Sequence, residues 1–458
     1  MLTKRLSLAT YDALMIENMR GARSGAMTRR ASPARKSTVR CMANVQVHDR
    51  LSYREGEVTT GVDAEKVKQL QDNLKGRLIL APLTRGNNLP FRRLISDFKG
   101  WVTTSEMILS RNLIKGDPRE NALIKRSDAE HIFGVQIATK TIDEGVKSGI
   151  KAFQAGGDFL DFNCGCPIYE VTRRGLGSQL LRKPKKLSRL ISGIAGQIPI
   201  PMTVKIRTGI DSNSINVHQV VRELEDTGIA AVTIHGRTAM QRYKRESDWS
   251  LIEEIARQSS LPCIGNGDIL EVFEAKRRMA SHGCHAVSVG RGALIKPWIF
   301  QEFDEDREIH PSAEERIAIY RKLTGYMKEH FGDDDWGKRK AFYFLPFHLG
   351  FFSRYRPLPA KYFEEYSLTS PLISTRWESI ACRELGETPD SLPLLERLLR
   401  CTHEKAHEEI AEILWTSESD QETIENLDKL AESNIIEWEM AVKKSDRNET
   451  ESSRESEG

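Results

Sequence analysis

FLDFNCG (159–165) is a short run of mostly apolar residues that closes on polar ones, and a turn and a helical pattern surround it. Seven further runs alternate with helical segments in the same way, and this succession predicts a (β/α)8 TIM barrel over 75–305. An open doubly wound sheet gives similar alternation, but no GxGxxG turn follows the first run, which favours the barrel. The other runs are LILAPL (78–83), WVTTSEM (101–107), IFGVQIA (132–138), PMTVKIR (201–207), AAVTIHG (230–236), PCIGNGD (262–268) and HAVSVGRG (285–292).

The strand pattern stops after about residue 304. Segments 312–332 and 391–415 have the periodicity of amphipathic helices. We therefore expect a helical domain at 310–416 after the barrel.

The two ends of the chain differ in charge. Residues 1–47 hold nine Lys or Arg against Asp12 and Glu17, as in an organelle transit peptide. The alternative is a disordered basic leader that contacts RNA or has no function. We expect an intracellular protein, which is mitochondrial or plastid if the leader is a transit peptide and cytoplasmic or nuclear if it is not. Residues 417–458 are rich in Glu, Asp and Ser, and we expect an acidic, largely disordered tail.

Composition narrows the class of protein. Of 458 residues, 39% are hydrophobic and 29% charged, and no apolar run approaches the roughly 20 residues of a membrane span, so we expect no membrane partner. The net charge of only +3 means that any phosphate-binding surface is a local patch. Seven cysteines form no dense disulfide framework, and Cys164 and Cys166 lack a second close Cys or His pair, so we expect no metal site.

Polar and charged residues end the eight runs, where barrel enzymes place their working groups. Each of them could instead have a purely structural role. Lys205 could pair with Glu106 inside the barrel, and His235 could be a core histidine whose hydrogen bonds are all made within the protein. Together they would ring one pocket. The residues at these ends are Pro82, Leu83, Thr84, Glu106, Gln136, Asn163, Cys166, Lys205, Arg207, His235, Arg237, Asn266, Gly267, Asp268, Gly290, Arg291 and Gly292.

Two glycine-containing turns follow the last two runs, GNGD (265–268) and GRGA (290–293). Late turns of such barrels often bind phosphate through backbone N–H groups, although Gly also simply closes turns. Amides such as Gln136 and Asn266 can bond a heteroaromatic edge. The set therefore favours a planar, phosphate-bearing cofactor, and we expect FMN.

Five motifs stand at the ends of the later strands: NCGCP (163–167), VKIRTG (204–209), HGRTAMQRY (235–243), GNGDI (265–269) and RGALIKPWIF (291–300). Together they resemble the tRNA-dihydrouridine synthases, and the likeness extends over about 78–303. HGRTAMQRYKRESDW (235–249) is most similar to the tRNA-dihydrouridine(47) synthase branch. That branch usually carries N-terminal CCCH zinc fingers, which we expect this chain to lack.

The resemblance implies a reaction. NADPH or NADH would reduce FMN, the flavin N5 would give hydride to C6 of a flipped-out uracil in tRNA, and a thiol would protonate C5. The family motif places the acid immediately before Pro, which selects Cys166 over Cys164. Lys205 and His235 would stabilise negative charge on the flavin, and Asn163, Arg207 and Arg237 would face the uracil. The FMN-binding residues implied are Pro82, Leu83, Thr84, Gln136, Lys205, His235, Asn266, Gly267, Asp268, Gly290 and Arg291.

The sequence contains clusters of cations that could bind RNA phosphates. An enzyme that extrudes a stacked base needs many such contacts, because the extrusion costs a few kcal/mol. The clusters fall at 169–186, 237–245, 337–344 and 351–357, although the aromatic residues of the last two also suit a helix core. A non-catalytic RNA-binding barrel and a small-molecule FMN-dependent reductase remain as alternatives. The target uridine, the preferred nicotinamide and the oligomeric state stay open.

Overall fold

The computed structural model describes residues 61–374, 384 and 386–455, so the leader predicted at 1–47 lies outside the described residues. Within them, nine parallel strands form one sheet, and eight of these close a ring because β1 pairs with both β2 and β9 while β2 pairs with β4. Strand β3 is a short addition beside β4. The predicted barrel is confirmed, and an open sheet is excluded. The strands are β1 Leu78–Leu80, β2 Val102–Thr104, β3 Ile108–Leu109, β4 Ile132–Ala138, β5 Phe159–Cys164, β6 Met202–Arg207, β7 Ala231–His235, β8 Cys263–Asn266 and β9 Ala286–Val289.

Helices alternate with these strands. Polar N-caps begin several of them: the Thr141 side chain accepts the Glu144 N–H, and the Asp248 side chain accepts the Leu251 N–H. Gly283 ends another in the left-handed conformation (φ 68°), which glycine adopts readily. The helices are α1 Ala64–Leu74, α2 Leu89–Asp97, α3 Ser110–Ile114, α4 Pro118–Leu123, α5 Ile142–Gln154, α6 Tyr169–Thr172, α7 Pro184–Ala195, α8 Val217–Glu225, α9 Trp249–Gln258, α10 Val272–His282, α11 Arg291–Ile295 and α12 Ile299–Glu305, with a 3-10 helix at Gly177–Arg182.

Alternation along the strands separates the core from the cavity. Phe162 and Val204 are fully buried in the hydrophobic core together with helical residues such as Ile191. Their strand neighbours Asn163 and Lys205 instead line a cavity. Because successive side chains of a strand point to opposite faces, one run of residues supplies both the packing and the site.

A helical part follows the barrel. The helix predicted over 391–415 is in fact two helices, separated by an extended turn in which Cys401 has φ −67° and ψ 128°. The ring Nε2 of His407 lies 2.9 Å from the Cys401 carbonyl oxygen across this turn. The elements are α13 Ala313–Phe331, α14 Asp335–Ala341, α15 Leu345–Phe352, α16 Ala360–Phe363, α17 Leu394–Arg400, α18 Glu404–Thr416 and α19 Asp420–Glu455, with 3-10 helices at Tyr366–Leu368, Leu372–Ser374 and Pro389–Ser391.

The disordered tail predicted at 417–458 is wrong for most of its length, because α19 packs against the helical part. Leu427, Ala431 and Ile435 are at most 1% exposed. Their spacing of four residues forms one apolar stripe, and the ion pair between Arg397 and Glu439 (2.5 Å) adds a polar contact beside it. The acidic composition concealed this stripe. None of the helices in 61–374 or 386–455 has the length and apolar character that a membrane crossing needs.

His348 on α15 is a buried polar group at the junction between the barrel and the helical part. Its ring stacks on that of Phe91 with centroids 4.7 Å apart, and neither ring nitrogen has a hydrogen-bond partner within the described segments. Burial, aided by the positive charge of Arg85, lowers the pKa of His348 to about 3.

Replacing His348 with Phe is expected to raise the free energy of unfolding by about 1–2 kcal/mol at pH 7, because it removes unpaired buried atoms and keeps a stacked ring. Below pH 6.5 the unfolded chain binds a proton at His348 that the folded protein does not, so this group costs about 2 kcal/mol of stability between pH 7 and pH 5. His348→Phe lacks this group, so its free energy of unfolding should fall less between pH 7 and pH 5 than that of the wild type, by about 2 kcal/mol. Denaturant unfolding at the two pH values measures the difference. An equal fall in both proteins would contradict the assignment.

Candidate active site

A cavity opens at the carboxyl ends of the barrel strands. Register explains the convergence: Asn163 pairs with Lys205, and His235 pairs with both Arg207 and Asn266. Of the seventeen strand-end residues named from the sequence, Glu106 and Gly292 are not among the residues that line this cavity. The other fifteen line it, namely Pro82, Leu83, Thr84, Gln136, Asn163, Cys166, Lys205, Arg207, His235, Arg237, Asn266, Gly267, Asp268, Gly290 and Arg291.

A chain of hydrogen bonds runs from the barrel interior to the cysteine loop. The buried Asp161 carboxylate accepts from Thr203 Oγ1 (2.7 Å) and Gln136 Nε2 (2.6 Å). Because Gln136 Nε2 donates to Asp161, its Oε1 is left to accept from Asn163 Nδ2 (2.8 Å). Asn163 Oδ1 in turn accepts the N–H of Cys166 (2.9 Å). The carboxylate thereby fixes the orientation of two carboxamides and, through them, the backbone of Cys166.

The loop that carries Cys166 is anchored from both sides. The Cys166 carbonyl accepts the Ser178 N–H (3.0 Å), and Gly177 sits beside it with φ 60°, where a Cβ would lie only 2.5 Å from that carbonyl oxygen. Cys166 is partly exposed in the cavity, whereas Cys164 is fully buried in the core. Burial raises the pKa of the Cys164 thiol well above its ordinary value. The geometry therefore offers Cys166, and not Cys164, to a bound molecule.

Lys205 provides a cation at the base of the cavity. Its Nζ donates to Asn266 Oδ1 (2.6 Å), and Asn266 Nδ2 donates to the Ser288 carbonyl (2.8 Å), which orients the amide. The pairing with Glu106 considered from the sequence does not occur, since the Glu106 carboxylate accepts the Arg85 N–H instead (2.7 Å). Burial, reinforced by the charge of Arg207, lowers the pKa of Lys205 to about 7, against the opposing effect of Asp161.

Asp268 holds two arginines at the late-strand side of the cavity. Its carboxylate pairs with Arg237 (2.6 Å) and Arg291 (2.8 Å) and also accepts the Ser247 N–H (2.8 Å). Gly267, with φ 138°, allows the backbone beside Asp268 to lie close to Ser247, since a Cβ at position 267 would be 2.1 Å from Ser247 Oγ. Such charge-assisted pairs set both guanidinium groups in fixed directions.

Positive charge dominates the cavity. Burial first, and then the charges of Arg207, Lys205, Arg237 and Arg291, lower the pKa of His235 well below its ordinary value. His235 is therefore neutral at physiological pH, and the cations around it favour an anionic ligand.

Arg207 also has a structural function, because it connects two loops at the cavity mouth. Its Nε donates to the Gly165 carbonyl (2.8 Å) and its Nη1 to the Thr238 carbonyl (3.0 Å). These two contacts hold the cysteine loop beside the loop that follows β7. The predicted role of Arg207, to face the uracil, stays a prediction, and the structure adds this second role.

Some residues of the site were missed from the sequence. Asp161 lies two residues before Asn163 on β5, so the two-residue strand period could have identified it. Tyr243, the last residue of HGRTAMQRY, lines the cavity and stacks against Arg291 (4.4 Å from guanidinium carbon to ring centroid). Phe347 and Ile373 reach the cavity from the helical part, and no local pattern marks them.

Comparison with known proteins identifies the family. The family model "Dihydrouridine synthase (Dus)" matches residues 79–346, more than half of the chain. The chain belongs to the dihydrouridine synthase family. The match begins within β1 and ends within α15, so the family region contains the cavity wall from β2 to β9.

Three relatives share the name tRNA-dihydrouridine(47) synthase. The human protein, named "tRNA-dihydrouridine(47) synthase [NAD(P)(+)]-like", is 41% identical over 288 residues, which cover 62% of this chain and 44% of the human one. The protein of Coprinopsis cinerea is 36% identical over 378 residues, which cover 74% of this chain and 56% of the relative. The protein of Lodderomyces elongisporus is 38% identical over 318 residues, which cover 63% of this chain and 50% of the relative. The chain thus spans about half the length of the curated relatives it matches.

Proposed function

We propose that the protein reduces the C5–C6 double bond of a uridine in tRNA, with FMN as cofactor, NADPH or NADH as reductant and Cys166 as proton donor. The observation that carries the proposal is the anchored Cys166, which lines one cavity together with the cations Lys205, Arg207, Arg237 and Arg291 and the oriented amides of Gln136 and Asn266. The family membership gives this arrangement its chemistry. The names of the relatives favour uridine 47 as the target.

The residues present fit FMN. Gln136 and Asn266 offer carboxamides in fixed orientations to a heteroaromatic edge, and Lys205 adds a donor beside them. Arg291 and Arg237 supply positive charge suited to a phosphate, with one carboxylate, Asp268, shared between them. A flavin bound here would supply hydride to the substrate, and NADPH or NADH would reduce it again.

Cys166 performs the protein's own part of the reaction. Its S–H bond breaks as a C5–H bond forms on the uracil, and the thiolate regains a proton from solvent, so uridine, reductant and one proton give dihydrouridine and oxidised nicotinamide. A cysteine thiol can protonate an enolate-like carbon, because that carbon is far more basic than a thiolate. Asn163 holds the Cys166 backbone in position, and Arg207 braces the adjoining loop.

Lys205 and the neutral His235 would stabilise negative charge at the flavin, as fixed donors do without reorganising. The helical part is proposed to contribute to tRNA binding. Its connection to the cavity is direct: Arg85 Nε donates to the Tyr343 carbonyl (2.7 Å), and its guanidinium carbon lies 4.1 Å from the centroid of the Tyr343 ring.

The experiment is to purify the protein, record its flavin spectrum and follow NADPH and NADH oxidation with and without unmodified tRNA. We expect a yellow protein whose oxidation of the reductant is coupled to dihydrouridine formation in tRNA. A transcript with cytidine in place of uridine 47 serves as the matched control and should suppress the product. A colourless protein, or oxidation indifferent to tRNA, would overturn the proposal in favour of an RNA-binding barrel or a small-molecule reductase.

A further inference from the structure

Tyr169 is an exposed aromatic residue at the rim of the cavity. Its side chain is 64% exposed, although large hydrophobic side chains are usually covered. It comes three residues after Cys166 and directly after Ile168, both of which line the cavity. No hydrogen bond or ring contact engages its side chain within the part of the chain that the structure describes. Packing therefore does not explain why an aromatic ring is placed here.

The backbone beneath this ring is held firmly. The Tyr169 carbonyl accepts the Arg173 N–H (2.9 Å), and Val171, in the same helix α6, is only 6% exposed. The Cys166 carbonyl is tied to Ser178, so both sides of the short segment are anchored. An exposed ring on a fixed support loses little further freedom when it binds a ligand.

The surface around Tyr169 is strongly basic. In 168–189 the acidic residue is Glu170, which pairs with Arg173. Lys140 adds a further cation, because its Nζ donates to the Arg174 carbonyl (3.0 Å). This charge is complementary to phosphates, and it distinguishes a nucleic-acid partner from an apolar protein surface. The exposed cations of the segment are Arg173, Arg174, Arg182, Lys183, Lys185, Lys186 and Arg189.

We propose that Tyr169 stacks on the RNA base beside the target uridine and fills the gap in the base stack when that uridine enters the cavity. The inference rests on the proposed function, because it requires a base to be extruded toward Cys166. Extrusion costs a few kcal/mol, and stacking of an aromatic ring on the remaining base offsets part of that cost. The exposed cations then bind the flanking phosphates.

The test uses full-length protein and unmodified tRNA with 2-aminopurine beside the target uridine. Tyr169→Ala is expected to weaken tRNA binding about 5- to 150-fold, the range equivalent to one base–aromatic stack. It should also leave the 2-aminopurine brighter in the complex, since an unstacked 2-aminopurine is not quenched. Tyr169→Phe keeps the ring and should retain wild-type binding and quenching. Flavin content and the thermal midpoint verify folding of both variants.

The outcomes separate this inference from the proposed function. If the wild-type protein reduces uridine while Tyr169→Ala binds and quenches like it, the stacking role is overturned and the proposed function stands. Equal losses in the Ala and Phe variants would also overturn it, because the hydroxyl rather than the ring would then be responsible. If the wild-type protein forms no dihydrouridine in any tRNA, both proposals fall together.

Discussion

Replacing Cys166 with Ala is expected to abolish dihydrouridine formation while FMN and tRNA remain bound. A positioned general acid contributes about 10²- to 10⁴-fold to a rate, and alanine offers no proton. Binding should survive because Asn163 contacts the backbone N–H of residue 166, not its thiol, and the carbonyl bond from Ser178 is also independent of the side chain. Single-turnover formation of dihydrouridine, measured together with flavin content and tRNA affinity, separates the two effects.

Cys164 supplies the matched control. It is buried among apolar side chains and does not line the cavity, so Cys164→Ala should cost some stability through lost packing and leave the rate close to that of the wild type. Full activity in Cys166→Ala would move the acid to another residue. A lost rate in Cys164→Ala at unchanged stability would do the same.

The barrel could be predicted because its information is local. Each short run by itself predicts a strand. Because all the strands are parallel, the polar residues at their carboxyl ends lie at the same end of the barrel. Asn163, Lys205 and His235 thus converge without any long-range signal. The same two-residue period on β5 also contains Asp161, whose role depends on contacts to Gln136 and Thr203 on other strands.

Other features depend on contacts that no local pattern records. Arg85 meets Tyr343, a residue 258 positions away, and the helical part closes the cavity through Phe347 and Ile373. The break between α17 and α18 has no Gly or Pro to announce it. In α19, composition suggested disorder, whereas the apolar stripe that includes Leu427 is sufficient to bind the helix to its neighbours.

Lys205→Met is expected to lower the single-turnover rate about 10²- to 10³-fold, the effect of removing one positioned donor from a site where negative charge develops. The Asn266 amide would lose its partner but keep its bond to the Ser288 carbonyl, so the cavity wall should stay in place. Flavin content and the unfolding midpoint test that expectation. A rate within threefold of the wild type would show that the charge at 205 has no part in the reaction.

The pH dependence follows from the same lysine. Burial lowers its pKa to about 7 in the free protein, so the charged form is present below that value and is lost as the pH rises through it. The wild-type rate should therefore fall with rising pH through a value at or above 7, because a bound anionic group raises the pKa of Lys205. Lys205→Met should lack this limb and keep only the fall at higher pH that any general acid shows when it loses its proton. Asp161→Asn removes the carboxylate that raises the pKa of Lys205 and should shift the limb to lower pH. A limb with the same midpoint in Asp161→Asn, or with the same midpoint in Lys205→Met, would assign the titration to another group.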